Sequence, residues 1–578
     1  MHEEKPGFLP VRVLCEFTRA ERIAYFSMEI ALENSIPTYS GGLGGLAGDT
    51  LSSAADIGLP LVGVTLVSRA GYFRQVLDAE GRQHEEPQVW NPEKHATLLG
   101  AMVAIHVAGR VVWIQGWLYI LQGRAGGQVP VILLDTDLPQ NASEDRSITD
   151  SLYGGDAEYR LKQEIVLGVG GVRLLRALGF RLRHYHMNEG HAAFLTVELL
   201  NIHRYESSDV HPDESPYQVP RVRSLCNFTT HTPVEAGHDR FSYDLVARVL
   251  DDGIDQEVLK RYGGQGVLNM TELALNFSGY VNGVAKQHAS ISRRLFPGHE
   301  VHAITNGVHP LRWTAAPWVA LYDELLPGWS HAPEILNRAD RIADNRIIEA
   351  HEDCKNRLLQ HVHQLVGVRL NPSLPVIGFA RRMTGYKRPA LLFQDLEKLR
   401  AIAHRTPFQL VMAGKAHPQD WGGKQLIQEL RQRMQQLASD VPFVFLPGYD
   451  MDLSRLMVSG CDIWLNTPLR PHEASGTSGM KAAFNGVPQL SVLDGWWMEG
   501  CMEGVTGWSI GDGLESSNGG DAESLYRKLG QAVLPLWHEG AGRSAAWVAI
   551  MKGAIARNAS YFNSHRMLRR YATEVYVH

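Results

Sequence analysis

NTPLRPHEASGTSGMKAAFNGVPQLSVLDGWWMEG, residues 466–500, carries the order of apolar runs and breakers that decides the fold. Just before it Asp462–Leu465 (DIWL) is apolar and β-compatible, and Pro468 and Pro471 end regular structure. The small-residue loop Ala474-Ser475-Gly476-Thr477-Ser478-Gly479 then leads into a helix-like run from Met480 to Phe484. Strand, loop and helix N-terminus in that order make a βα unit, whose loop N–H groups and helix start can face an anion. Lys481 falls in the first helical turn, where a cation opposes the helix dipole. Alone, the stretch fits two readings: a βα turn with a solvated lysine, or a loop where the lysine serves a bound anion.

Outward from this unit the same alternation continues. Strand-like runs at Pro375–Ala380, Phe408–Gly414, Phe443–Leu446, Asp462–Leu465 and Gln489–Leu493 are each followed by helix or loop, which predicts a doubly wound α/β domain. Residues from Leu311 to Asn371 are charged and helical, including Ile342–Val366, and read as connector helices; Ala545–Tyr571 reads as a last helical stretch. Upstream, Arg22–Glu29 (RIAYFSME), Leu59–Val67, Val111–Gln115 and Val129–Leu134 read as strands and Ala157–Leu178 as helix. A chain of 578 residues is too long for one core. The expected division is a first α/β domain over 1–310 and a second over 311–578.

The run Ser40-Gly41-Gly42-Leu43-Gly44-Gly45-Leu46-Ala47-Gly48 follows the first strand as a glycine-rich turn. It nearly matches a dinucleotide fingerprint, yet no acidic residue ends a second strand roughly 20 residues on. A ligand-free turn and a phosphate cradle fit it equally, and the glycines would permit φ > 0 and close approach of backbone N–H groups. A second cationic signal follows the Pro375 strand, where Arg381, Arg382, Lys387 and Arg388 fall within eight residues. Those cations are either a solvated turn or an anion site.

Composition excludes several classes. With 56 Lys and Arg against 62 Asp and Glu, the net charge is −6, so no general basic field serves nucleic acid or an anionic membrane. Five scattered cysteines without CxxC spacing fit a reducing cytoplasm rather than a disulfide framework or a zinc site. The N-terminal MHEEKPGFLP has no apolar signal region, and no apolar segment reaches membrane-spanning length. In His184–Phe194 (HYHMNEGHAAF) three histidines suggest a metal site, His184 and His186 sharing one strand face. Hydrogen bonding at a strand end is the preferred reading, and no metal is expected.

EASGTSGMK (Glu473–Lys481) closely resembles the pyridoxal phosphate lysine segment of the glycogen and α-glucan phosphorylases. The chain is identified as a member of that family, of the shorter bacterial and archaeal type. Ser478-Gly479 stands where animal members have Gly-Asn, and Trp496-Trp497 also departs from them. The resemblance implies the two-domain GT-B fold, with Rossmann-like domains facing a cleft and a C-terminal helix crossing back. Lys481 would form the Schiff base with the cofactor, Thr477 and the Ser478 N–H would hold its phosphate, and Glu473, Ser475 and Gly476 would touch the glucosyl unit.

Further motifs extend the resemblance from about Ala24 to Gly500. The glycine turn resembles the family's GGLG segment, placing Gly41, Gly42 and Leu43 over the substrate. HYHMNEGH resembles N-D-T-H, placing Asn188 and His191 near the sugar, and Phe228–Gly237 resembles another segment beside the site. Ser278–Phe296 resembles a helix start in which Gly279 replaces the animal histidine. Thr305-Asn306-Gly307 with Trp313 resembles the hinge motif, where Asn306 would bond a sugar hydroxyl. In the cationic segment Arg381 replaces a lysine near the cofactor phosphate, Arg382 and Lys387 would bind inorganic phosphate, and Tyr386 would face the sugar. Two phosphates carry about −1.5 to −2 charges each, and a unit pair at ~4 Å costs about 4 kcal/mol even at an effective dielectric of 20, so such cations are required. Gly414-Lys415-Ala416 matches a further strand end, and Tyr449 keeps the family's spacing as a cofactor contact.

The implied activity is retaining phosphorolysis of terminal α-1,4-linked glucose by inorganic phosphate, giving α-glucose 1-phosphate. The cofactor phosphate would serve as proton relay, and Glu473 would bind sugar hydroxyls. α-1,4-Glucan and phosphate are the implied partners, a homodimer is allowed, and control by N-terminal phosphorylation is not expected. Two rivals share the fold. A nucleotide-sugar-dependent glucan synthase would have no use for Lys481 and would want a lysine where Tyr39-Ser40 stands; a catalytically silent glucan-binding protein would not need these cations.

Overall fold

A computed structural model describes residues 11–577 apart from 207–214, 235–236, 252 and 512–516. The expectation about the N-terminal tail falls on residues 1–10, and Glu235 and Ala236 of the Phe228–Gly237 segment are also outside the described residues.

The first sheet begins with β1 (Arg22–Ser27) and β2 (Leu61–Leu66), both buried along their whole length as apolar runs between two helical layers must be. A polar hairpin, β3 (Arg74–Leu77) and β4 (Gln83–Glu86), precedes β5 (Thr97–Val107), β6 (Arg110–Gln122) and β7 (Gln128–Asp135). After β8 (Leu182–Asn188) and β9 (Cys226–Thr229) come a short pair, β10 (Arg240–Phe241) and β11 (Leu268–Asn269), then β12 (Tyr280–Gly283) and β13 (His302–Ala303). Nine of these strands form one sheet in the order β13-β12-β9-β8-β1-β2-β7-β6-β5. It is parallel from β13 to β7 and antiparallel over β6 and β5.

The second sheet holds β14 (Val376–Ala380), β15 (Gln409–Ala413), β16 (Phe443–Leu446), β17 (Ile463–Asn466), β18 (Gln489–Val492) and β19 (Gly507–Ile510). Its order is β16-β15-β14-β17-β18-β19, parallel throughout, the doubly wound order whose ligand crevice lies where the winding reverses, between β14 and β17. The first sheet reverses in the same way between β1 and β8.

The glycine-rich stretch differs from the expected turn. Helix Gly42–Ile57 already starts at the second glycine, Gly41 is extended with φ −164°, and none of these glycines has positive φ. Close packing requires two of them instead: a Cβ on Gly48 would lie 2.0 Å from the Ala31 carbonyl oxygen, and one on Gly44 would lie 2.6 Å from Glu29 Oε2. β3, β4, β5, β9 to β13 and β19 lie outside the expected strands; the hairpin is polar, β5 is interrupted by Gly100, and β9 to β13 and β19 are each four residues or shorter.

Two features tie the sheets together. Gln75 and Gln83 of the hairpin bond the backbone of Gly414 and Ala416 beyond β15. The last helix, Ser564–Tyr571, and the turn after it return to the first sheet, where Met567, Leu568, Tyr571, Val575 and Tyr576 join the core around Ile23 and Tyr25. The three histidines of the His184–Phe194 segment do not converge: His186 lies between the hydroxyls of Tyr576 (2.6 Å) and Thr229 (2.9 Å), while His191 Nε2 turns to Asp239 at 3.2 Å. Among the described residues the group close enough to share a cation is Asp56, His309 and His565. His309 Nδ1 accepts the Arg312 N–H at 3.1 Å, so its Nε2 carries the proton and donates to Asp56 at 2.9 Å.

Candidate active site

Both switch points open on one cavity of about 750 Å³. From the first sheet, β1 leads to Glu29 and β8 to Glu189 and His191. The Glu29 carboxylate accepts the N–H groups of Ser40 (2.5 Å) and Gly41 (3.1 Å) and the Tyr153 hydroxyl (3.1 Å). Two backbone donors at the start of the glycine run, those of Ser40 and Gly41, therefore already hold a carboxylate. Glu189 has φ 74°, strained for a residue with a side chain, and its carboxylate accepts from the His231 N–H (2.8 Å) and the Thr232 hydroxyl (3.0 Å). Asn188 does not line the cavity; its amide bridges Ser27 (3.0 Å) and His231 (2.6 Å) one layer behind.

The second sheet supplies the charge. Arg381, Arg382, Tyr386 and Lys387 follow β14, Lys415 follows β15, Tyr449 follows β16, and Glu473, Ser475, Gly476, Thr477, Ser478 and Lys481 follow β17. Gly41, Gly42, Leu43, His191 and Asn306 face the same space. Of the four clustered cations Arg388 turns away, bonding the carbonyls of Thr467 and Pro468 and the Asp521 carboxylate.

The buried Glu473 carboxylate accepts from Lys387 Nζ at 2.6 and 2.8 Å and from Arg381 Nη2 at 2.6 Å. Burial opposes its charge, yet Arg381 and Lys387 outweigh burial and bring its pKa down to about 2. Asp494, at the end of β18, accepts the N–H groups of Glu473 and Gly495, both at 2.9 Å, and so pins the loop that carries Glu473. Burial, with the Glu473 charge adding to it, pushes Asp494 up to about 7. Lys481 has its amine 3.4 Å from the centroid of the Trp313 ring, and desolvation lowers it to about 8 despite the attraction of Asp49.

The residues fit a phosphorylated aldehyde cofactor. A lysine amine with lowered pKa stands beside a helix start, and Thr477 and Ser478 edge the same cavity as Arg381 and Arg382. Arg381 Nη1 and Ser475 Oγ are buried without a hydrogen-bond partner, which a bound anion and a polyhydroxylated ligand would supply. The sequence reading missed Glu29, Glu189, His231, Trp313 as a neighbour of Lys481, and Asp494. Glu29 had a signal, a carboxylate ending an apolar strand; the others depend on sheet order.

Two doubly wound sheets with a cation-rich cavity spanning both switch points define an enzyme of the GT-B architecture, built for glycosyl transfer. The chain belongs to the carbohydrate phosphorylase family. The carbohydrate phosphorylase family model matches residues 239–503. Maltodextrin phosphorylase of Thermococcus litoralis is 37% identical, the match covering 96% of this chain and 70% of the relative. Glycogen phosphorylase of Mycobacterium tuberculosis strain H37Rv is 36% identical over 96% of this chain and 70% of its own. Glycogen phosphorylase of Aquifex aeolicus is 35% identical over 97% and 87%.

Proposed function

We propose that the chain catalyses retaining phosphorolysis of an α-1,4-glucan: the terminal C1–O4 bond breaks, C1 bonds to a phosphate oxygen, and the leaving O4 takes a proton. The observation that carries this reading is the meeting of Lys481 with Arg381, Arg382 and Lys387 around one cavity. A carbohydrate-binding protein without phosphate chemistry has no need of so many cations there.

In this reading Lys481 holds the carbonyl end of pyridoxal phosphate, and Thr477, Ser478, Arg381 and Tyr449 hold the rest of it. When bound, that group supplies a phosphate able to exchange a proton with inorganic phosphate. Arg382 and Lys387 bind inorganic phosphate and keep its negative charge beside the sugar carbon on which positive charge develops. Glu473, Ser475, Gly476, Asn306, Tyr386, His191 and the Gly41–Leu43 backbone orient the sugar, while Asn188 acts through His231. Arg381 in place of lysine grips a phosphate with paired N–H bonds. We further propose that residues 1–310 and 311–578 are the two domains, 311–371 connecting them, and that the five unbridged thiols work in a reducing cytoplasm.

The test is an absorbance spectrum of the purified protein, repeated after borohydride reduction with the labelled peptide mapped. Cofactor attached at Lys481, together with phosphate-dependent release of glucose 1-phosphate from maltodextrin, supports the reading. Protein that neither contains nor takes up the cofactor overturns it.

A further inference from the structure

The two cations nearest Glu473 are already paired. Lys387 Nζ reaches both carboxylate oxygens and Arg381 Nη2 reaches one, while Arg381 Nη1 stays buried without a partner. Behind the carboxylate stands Gly476, with φ 78°, where a Cβ would lie 3.1 Å from Glu473 Cδ. The Glu473 N–H is fixed by Asp494, so the loop stays in place while the side chain, facing the cavity, can turn.

A phosphate dianion brought to Lys387 would meet this carboxylate on the same ammonium group. Like charges at that separation repel strongly even at the dielectric of a protein surface. Sugar hydroxyls have the opposite need, since each is a donor and a carboxylate accepts only. Ser475 Oγ, which lines the same cavity two residues on, is without a partner and can take a second hydroxyl.

We propose that Glu473 is an internal counter-ion shared between the two substrates: a glucosyl hydroxyl draws its carboxylate from Lys387, and the freed Lys387 then takes phosphate beside Arg382. Glucan and phosphate therefore bind with positive coupling, and by linkage each tightens the other by the same factor. Phosphate arriving alone meets a paired Lys387 and binds weakly. The inference rests on the phosphorylase reading and adds to it which residue links the two substrate sites.

Calorimetric titration of the cofactor-loaded protein tests it. Sulfate serves as the probe, carrying the charge of phosphate without reacting, and is titrated with and without saturating maltopentaose. In the wild type the sugar tightens sulfate about tenfold, within the usual range of such couplings. In Glu473→Gln, sulfate alone binds about tenfold tighter than in the wild type, and the sugar no longer changes it. A wild type that binds sugar and sulfate independently overturns the coupling while leaving the phosphorylase reading intact. A Glu473→Gln protein in which sulfate is no tighter also overturns it. If the wild type binds neither probe, both readings fall together. Should the variant fail to fold, the wild-type pair of titrations still decides.

Discussion

The Lys481 ammonium lies 3.4 Å from the centre of the Trp313 ring, and the indole N–H of that ring donates to both oxygens of Asp49, at 2.8 and 2.9 Å. The chain thus places an aromatic face, not a carboxylate, directly against the amine. A full ion pair would hold the lysine charged; the ring steadies it through a weaker attraction that leaves its proton removable near neutral pH. Asp49 in turn is satisfied by the indole, so its charge acts on Lys481 only at a distance.

Lys481→Ala is expected to lose the cofactor and to reduce phosphorolysis below detection, because no other amine stands at the helix start. Absorbance of the purified variant and glucose 1-phosphate release check this; a fully active variant would sink the proposed mechanism.

Trp313→Phe keeps a ring beside Lys481 but removes the donor to Asp49, leaving a buried carboxylate whose nearest cation, Arg312, is 3.9 Å away. The expected cost is about 1–3 kcal/mol of stability, read from denaturant unfolding.

Asp494 carries a pH signature. Its folded pKa of about 7 exceeds the ordinary 3.8, so the folded state binds a proton that the unfolded chain has released. That stabilisation is full below pH ~4 and is lost as pH rises through about 7. Compared with Asp494→Asn, the wild type should lose on the order of a few kcal/mol across that interval. Unfolding midpoints of both proteins at pH 4.5 and 7.5 measure the difference, and parallel pH profiles would refute it.

Asp56→Ala should destabilise the protein by about 3 kcal/mol, since it frees His309 and the Arg124 N–H from their common acceptor and removes the carboxylate 3.3 Å from His565 Nε2. Burial works against the Asp56 charge, but its histidine and backbone donors hold its carboxyl well below the usual range, so this contribution is present above about pH 4 and fades in acid. A thermal melt of the variant at pH 7 checks the size; the gap to wild type should narrow as pH falls.

Gly48→Ala places a methyl group within 2.0 Å of the Ala31 carbonyl oxygen, and the helix has no slack to yield. Loss of about 1–3 kcal/mol and weaker binding at the Gly41–Leu43 edge of the cavity are expected. Unfolding and a maltodextrin titration measure them.

Local sequence carried much of this arrangement. The apolar runs of β1, β2, β7 and β14 to β18 stand out because parallel strands buried on both faces need unbroken hydrophobic stretches. The Lys481 loop stood out as small residues at a strand end, but those residues alone fit a solvated lysine as well, and it was the resemblance of Glu473–Lys481 to the phosphorylase segment that decided the reading. What escaped was set by tertiary contact. Glycines 42 to 48 look like a turn locally, whereas the smallness of Gly44 and Gly48 answers to the chain at Glu29 and Ala31. Asn188 and His191 are three residues apart, yet one faces the cavity and the other stands behind His231, a distinction that depends on how β8 and β9 pair. Asp494 acts on a residue 21 positions away, through a bond that neither segment announces.

The return of residues 567–576 to the first sheet orders events during synthesis. His186 and Tyr576, 390 positions apart, share a hydrogen bond inside the earliest core, beside Tyr25. Most of that core emerges from the ribosome long before its final side chains exist, and must wait with a gap where Met567, Tyr571 and Tyr576 will lie. The second sheet is synthesised in that interval, and the core around Tyr25 has all its side chains only once Met567, Tyr571 and Tyr576 have been made.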